Sequence, residues 1–385
     1  MSGAMRERPW ATSGEDATST TVDPMDERSF PARPSGPGRK ASRAANDGSG
    51  SVPPGHPPAR RFRWPVLAGL VLLLAGCATA TSPSPGPSTG VTGAGSSAAL
   101  GSPTPTGSPG PPLAVPAHGA YLGAWVHPVT AGKSRRSFAV EAAHLPALTA
   151  QLGHPLALVH VFSSFKLPAP VAAVENLERQ GSTPVVDWGC GGDLHAIVSG
   201  AEDRAITAYL GALTNTHHPL LLRWCWEMNI AASHPQITSP REFVAAWRHL
   251  AGDLHKSRAT NVSLVWCPAL TGRNPAPYFP GRAYVDWIGI DGYDRSGTAT
   301  FTSLFAGFAR QWGSLGKPLM VAETGAQAAS QVSYLQSIGT GAPALPQYRA
   351  VMYFDAKGPE GNWILTEGGL AALRHLANGP WFQPT

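Results

Sequence analysis

Eight short apolar runs separated by amphipathic stretches dominate the second two-thirds of this chain. The runs cover residues 121–126, 157–162, 184–188, 220–225, 263–267, 285–290, 319–322 and 351–354. Stretches with apolar residues at helical spacing lie between and after them, at 137–152, 203–213, 241–254, 301–312, 327–338 and 370–377. Strand–helix units in series imply a parallel sheet. The runs are apolar on both faces, as in a sheet covered on both sides. Eight such units in about 265 residues predict an α/β protein of the (β/α)8 TIM-barrel class, which typically has about 250.

The 385-residue chain divides by composition into four parts. Residues 1–59, rich in Ser, Gly, Pro, Arg and Asp, lack apolar periodicity and read as a disordered N-terminal extension. Residues 60–77 have a basic flank (Arg60, Arg61, Arg63), an apolar core (Val66 to Ala75) and a small-residue end, the three parts of an export signal. The apolar core is shorter than the roughly 20 residues that span a bilayer. Its ending, Leu74-Ala75-Gly76-Cys77, resembles a bacterial lipobox. That resemblance implies lipidation at Cys77 and a chain held by a lipid anchor on the outer face of the cytoplasmic membrane, or secreted. Residues 78–117 are almost all Ser, Pro, Thr, Gly and Ala and carry no charge, the composition of an extended linker. Residues 118–385 are the expected catalytic domain.

This last part carries nineteen Lys and Arg against seventeen Asp and Glu and shows no basic stripe, so nucleic acid is not an expected partner. A monomer is expected. Cys190, Cys225 and Cys267 match no zinc spacing, and no ligand cluster calls for a metal or organic cofactor. Their predicted places at strand ends leave both one disulfide and three buried thiols open.

In a (β/α)8 barrel the active site lies at the C-terminal ends of the strands. The residues falling there are Trp125, His127, Trp188, Trp226, Glu227, Trp266, Asp291, Tyr293, Glu323, Asp355 and, in the loop after the eighth run, Trp363. Flat aromatic faces suit the apolar faces of sugar rings. Glu227 follows the fourth run and Glu323 the seventh. An ionisable group in such a setting is costly without a task. Two carboxylates at one rim are the equipment of retaining glycoside hydrolysis, which holds them about 5–5.5 Å apart.

The ordered motifs Arg223-Trp-Cys-Trp-Glu-Met-Asn229, Trp247-Arg248, Asn261-Val-Ser-Leu-Val-Trp266, Tyr278-Phe-Pro-Gly281, Tyr284-Val-Asp-Trp-Ile-Gly-Ile-Asp-Gly-Tyr293 and Lys317-Pro to Gly325 resemble glycoside hydrolase family 26, the β-mannanases and related endo-glycanases. The resemblance implies Glu227 as general acid/base, Glu323 as nucleophile, and Tyr293 as the tyrosine that bonds the nucleophile. Arg223 would favour the ionised form of Glu323, while Trp226 and the Glu323 charge would keep Glu227 protonated. Trp226, Asn229, Trp188, Trp266, Trp363 and Trp125 are the expected substrate-binding or supporting residues. The pattern departs from the family at Trp226, where the family has His, and at Ile230-Ala-Ala, where it has Gly and aromatic residues.

The implied function is an endo-β-glycosidase on a polysaccharide, β-mannan first, by double displacement. Two other readings accompany it: a catalytically silent glycan-binding lipoprotein, and a hydrolase of the cell's own exopolysaccharide or of another β-glycan such as β-glucan or β-xylan.

Overall fold

A computed structural model describes residues 109–126, 138–358 and 361–384. The signal segment with Cys77, the 1–59 extension, most of the linker and His127 lie outside the described residues.

Eight parallel strands form a closed barrel in sequential order. They are β1 (Tyr121–Val126), β2 (Leu158–Ser163), β3 (Thr183–Trp188), β4 (Leu220–Trp224), β5 (Val262–Trp266), β6 (Trp287–Asp291), β7 (Leu319–Thr324) and β8 (Tyr348–Asp355). The ring closes by pairing β1 with β8 from Tyr121↔Ala350 to Val126↔Asp355. Around it lie α1 (Phe138–Leu152), α2 (Val171–Arg179), α3 (Leu194–Val198), α4 (Asp203–Thr214), α5 (Pro240–Lys256), α6 (Phe301–Trp312), α7 (Gln331–Ala344) and α8 (Glu367–Ala377). A small antiparallel pair, β9 (Lys357–Gly358) and β10 (Gly361–Asn362), follows β8. The predicted (β/α)8 class is the observed one. Among the described residues no helix is long and apolar enough to cross a membrane.

Local chemistry marks the helix starts. Ser239 caps α5 by accepting from Glu242 N, and Pro240 takes the first helical position, where a missing N–H costs nothing. Thr300 and Ser303 form a reciprocal capping box on α6. The sequence reading missed α2 and α3 and started α7 four residues early.

Side chains alternate between two cores. Leu158, Val185, Leu221, Val265, Cys267, Trp287, Met320, Ala322, Ala350 and Met352 fill the barrel interior. Val186, Trp188, Leu222, Trp224, Leu264, Trp266, Ile288 and Ile290 face outward and pack in the larger layer shared with the helices. Gly289, between the outward Ile288 and Ile290, takes an inward position where a Cβ would meet Cys267 Sγ at 2.8 Å. The last inward positions of several strands are polar or aromatic, and these define the barrel mouth.

Candidate active site

Arg223 of β4 is the centre of the mouth and is fully buried. Its Nε donates to Asp187 Oδ1 of β3. Its Nη1 reaches both oxygens of Asp291 on β6, at 3.0 and 2.8 Å, and its Nη2 donates to Glu323 Oε1 of β7. His160 of β2 completes the cluster: Nδ1 bonds Asp187 Oδ2 at 2.6 Å and Nε2 donates to the Ala322 carbonyl at 2.8 Å. Burial opposes the Arg223 charge, but Asp187, Asp291 and Glu323 outweigh it and hold the guanidinium above its usual range. Burial pushes Asp291 well above the usual carboxylate range; Arg223 opposes this, and the Glu323 and Glu227 charges add to it. Asp291 and Asp187 are thus both partners of one buried cation, and His160 is a histidine whose two ring nitrogens are both satisfied.

Glu323 reaches the mouth through a β-bulge. Ile290 pairs with Val321, but Asp291 pairs with Glu323, so Ala322 is the extra residue. Ala322 faces the interior, and regular alternation would send Glu323 outward with Val321. The bulge turns it back in, a common use of such irregularities beside active sites. Tyr293 donates its hydroxyl to Glu323 Oε2. Burial and the Glu323 charge push the Tyr293 phenol well up, so it stays a donor.

Glu227 is not at the end of a strand run. β4 ends at Trp224, and a turn with two left-handed non-glycine residues follows, Cys225 at φ 51° and Glu227 at φ 55°. Such residues cost about 1–3 kcal/mol each and persist where surrounding structure fixes them. Strand parity, which would place Arg223, Cys225 and Glu227 on one face, therefore breaks. Arg223 points in, Cys225 packs in the outer layer, and the turn brings Glu227 back to the mouth. The turn is held by Cys225 N to the Trp188 carbonyl at 2.9 Å and Glu227 N to the Cys267 carbonyl at 2.8 Å. Burial raises the Glu227 carboxyl to about 7, with the Glu323 charge adding to the effect and Arg223 and Arg295 opposing it. Glu227 follows the fourth strand, as its place in the sequence implies, but it reaches the mouth through the turn and not through strand alternation.

Six aromatic rings form a continuous arc at the mouth. Trp226 meets Phe162 at 5.3 Å, Phe162 meets Trp125 at 4.7 Å, and Trp125 meets Phe354 at 4.4 Å. Phe354 meets Tyr293 at 6.0 Å, and Tyr293 stacks on Trp363 at 4.9 Å. Trp226 and Phe162 also lie over the Arg223 guanidinium, at 5.5 and 5.9 Å. Trp125 and Trp226 are thus partly exposed at the mouth, while Trp363, 1% exposed, lies behind Tyr293 and supports its ring. Phe162 and Phe354 were missed from sequence, although both share strand parity with inward residues, His160 and Met352.

Two of the expected substrate tryptophans do not belong there. Trp188 is fully buried, stacked between Phe165 and Tyr209 at 4.8 and 4.0 Å. Trp266 is also fully buried, packs on Trp312 at 4.8 Å, and donates Nε1 to the Tyr278 carbonyl at 3.1 Å. Both face the helix layer, because each neighbours an inward residue, Asp187 or Cys267. Asn229 is a brace: its Nδ2 donates to the Ala269 and Arg273 carbonyls, and its Oδ1 accepts from Ala269 N, all at 2.8 Å. It locks the loop after β4 to the loop after β5, and Gly272 makes room for it, since a Cβ there would sit 2.3 Å from Nδ2. Asp286 accepts from Leu264 N at 3.0 Å, and Asp355 from Leu365 N at 2.7 Å; both act on backbone.

The loops that carry the site are fastened from below. Asp294 accepts from Gly297 N at 2.8 Å and Ala299 N at 3.1 Å, which shapes the segment after Tyr293. Gln331 donates to the Tyr353 hydroxyl at 2.9 Å and the Ile364 carbonyl at 3.0 Å and accepts from Thr366 N at 2.7 Å, which fixes the loop of Trp363.

Of the three cysteines, Cys190 and Cys225 are joined by a disulfide, and Cys267 is a buried free thiol. Burial and the Asp291 charge push the Cys267 thiol well up, so it behaves as a small apolar residue with a weak donor. Cys190, Cys225 and His234 cluster closely enough to surround a metal ion, but the disulfide leaves no thiolate to bind one. Asp203, His249 and Asp253 form a second cluster on α4 and α5, with His249 Nε2 at 2.6 and 3.5 Å from the two carboxylates.

No protein-family model and no curated protein matches the chain by sequence. Solved structures do match in fold. One is a β-mannanase from a symbiotic protist of the termite Reticulitermes speratus, complexed with gluco-manno-oligosaccharide, at 17% identity and TM-score 0.50 over 69% of this chain and 88% of that one. Another is a Bacillus subtilis mannanase, at 16% and 0.50 over 69% and 86%. A third is a modular endo-β-1,4-mannanase of glycoside hydrolase family 26 from Cellulomonas fimi, at 16% and 0.51 over 68% and 71%. At these identities the likeness is one of fold.

Proposed function

We propose that the chain is a retaining endo-β-glycosidase that cleaves a β-linked polysaccharide, β-mannan first, with Glu227 as general acid/base and Glu323 as nucleophile. The observation that carries this reading is the unequal treatment of two carboxyl groups in one barrel mouth. Glu227 is raised to about 7, chiefly by burial. Glu323 instead accepts from Arg223 and Tyr293, one on each oxygen. A carboxyl that burial keeps protonated, beside one whose two oxygens each accept a hydrogen bond, is the division of labour between acid and nucleophile.

In the proposed reaction a sugar chain lies along the partly exposed stretch of the arc, over Trp226, Phe162, Trp125 and Tyr293. Glu323 attacks the anomeric carbon while Glu227 gives its proton to the departing glycosidic oxygen. The resulting glycosyl-enzyme is hydrolysed when Glu227, now a carboxylate, takes a proton from water. Arg223 and Tyr293 hold the nucleophile's charge between turnovers, and the chemistry requires no metal. The fold shared with mannanases and the motif resemblance support the reaction class; the choice of mannan rests on them alone.

The protein is further proposed to work outside the cytoplasm. The signal-like segment 60–77 supports this, and so does the Cys190–Cys225 disulfide, because such bonds persist in oxidising compartments.

The test is incubation of the full chain with β-mannan, β-glucan and β-xylan, with E227A and E323A as controls, and proton NMR of the first products. Release of oligosaccharides with the starting anomeric configuration, lost in both variants, is expected. Binding without cleavage would instead identify a glycan-binding protein, and inverted products would refute the double displacement.

A further inference from the structure

The turn that presents Glu227 contains two left-handed non-glycine residues within three positions, Cys225 and Glu227. Left-handed backbone is unfavourable for residues with a Cβ, so something outside the turn must hold it. The last β3–β4 pair is Trp188↔Trp224, and past it the backbone gives the turn two bonds, from Cys225 N to the Trp188 carbonyl and from Glu227 N to the Cys267 carbonyl. Beyond that pair the one covalent link is Cys190–Cys225, with Cα atoms 4.1 Å apart. Cys190 lies two residues past the end of β3 and is followed by Gly191 at φ 83°. His234 closes the arrangement from the far side of the loop: its Nδ1 lies 3.1 Å from Cys190 Sγ, and its ring bonds the Trp226 backbone. The sulfur of Cys225 is thus pinned outward, in the helix-facing layer, while Glu227 two residues on turns inward.

We infer that the Cys190–Cys225 disulfide is a positioning element for Glu227, a tether at the outer side of the turn that fixes the direction of the carboxyl at the inner side. This rests on the reading of Glu227 as the proton donor. A disulfide that served stability alone would restrict the unfolded chain and leave the native carboxyl indifferent to its presence. A tether of this kind changes what Glu227 faces. Without the link, the left-handed residues relax and the carboxyl gains water.

The experiment compares the full oxidised chain with the C190A/C225A double variant and with wild type reduced by a soluble dithiol under non-denaturing conditions. In the reduction the S–S bond takes two electrons and two protons to give two thiols, and the dithiol closes to its cyclic disulfide. Two readouts are taken. The first is a carbon-13 NMR titration of the Glu227 carboxyl, assigned by its absence in E227Q, which needs no substrate. The second is kcat and KM on the cleaved glycan.

Loss of the bridge is expected to move the Glu227 midpoint down towards the ordinary carboxylate range. It is also expected to lower kcat about 10- to 100-fold with KM little changed, the signature of a misaimed group. Reoxidation of the reduced wild type should restore both, which covers the case of a double variant that fails to fold. An unchanged midpoint and unchanged kcat, with both thiols shown to be free, would overturn the inference. If the midpoint moves but oxidised wild type cleaves no glycan, the tether stands and the glycosidase reading falls. If E227Q abolishes cleavage that is indifferent to the bridge, the glycosidase reading stands and the tether falls.

Discussion

Tyr293 donates its hydroxyl to the Glu323 oxygen that Arg223 leaves open. The ring is kept in place by Trp363, stacked on it at 4.9 Å. A hydrogen bond to a charged group is worth about 1.5–3 kcal/mol. Y293F keeps the ring and the stack and removes only the donor. It is expected to lower kcat by about 10- to 100-fold with an unchanged near-ultraviolet circular dichroism spectrum. Steady-state kinetics on the cleaved glycan measure the loss.

The pH profile should report Glu227. Its carboxyl, raised to about 7, must carry a proton for the first step, so kcat/KM of wild type should fall as pH rises through about 7. Arg295 opposes the rise of Glu227. R295Q removes that opposition and should move the falling limb to higher pH. A limb unmoved by R295Q would dissociate Arg295 from the proton donor.

Stability should show the same group with the same direction of pH dependence. The folded-state value of Glu227 lies above its unfolded value of 4.5, so the folded protein binds this proton more tightly than the unfolded chain. The resulting stabilisation is complete below the unfolded value and is lost as pH rises through about 7. E227Q carries no such dependence. Between pH 4.5 and pH 8 the variant should gain up to about 3 kcal/mol relative to wild type, read from urea unfolding at both values. Parallel curves would mean that Glu227 is not raised.

Two tryptophans give opposite expectations. Trp188 fills the outer core between Phe165 and Tyr209. W188A should cost about 3–5 kcal/mol and leave KM of the remaining folded protein unchanged. Trp226 is half-buried at the mouth. W226A should change the melting temperature little and raise KM. Thermal unfolding and kinetics on both variants test the division.

The barrel was legible because its signal is distributed. Eight apolar runs each carry a share of it, and errors at single boundaries do not matter. The strand at Tyr121–Val126 and the helix at Phe301–Trp312 fall where the pattern places them. Helix α3, with five residues, is too short to show a period. The two glutamates were legible as residues of one rim, while the backbone route that aims each of them was not. Glu323 enters through a bulge and Glu227 through a left-handed turn, and both break the alternation on which a sequence reading depends. For Trp188 and Trp266 the signal was present and points outward, since Asp187 and Cys267 beside them face in. The pairing of Cys190 with Cys225 depends on how β3 and β4 end in space, and 35 residues of separation say nothing about that.

The buried cation has a consequence for how the molecule comes into being. Arg223 lies 36 residues after Asp187, 68 before Asp291 and 100 before Glu323. Contacts this distant form late, because the chain between them must be ordered first. During synthesis the guanidinium therefore waits for its last two partners until three further strands have left the ribosome. A half-made barrel would have to bury this charge with one carboxylate or leave it in water, and water wins that comparison. The residues that would later hold the nucleophile's charge thus also act as a closing latch. They reward only a sheet that has curled far enough to bring β3, β4, β6 and β7 to one mouth, so that a chain able to order its acidic cluster is one whose sheet has already bent round it.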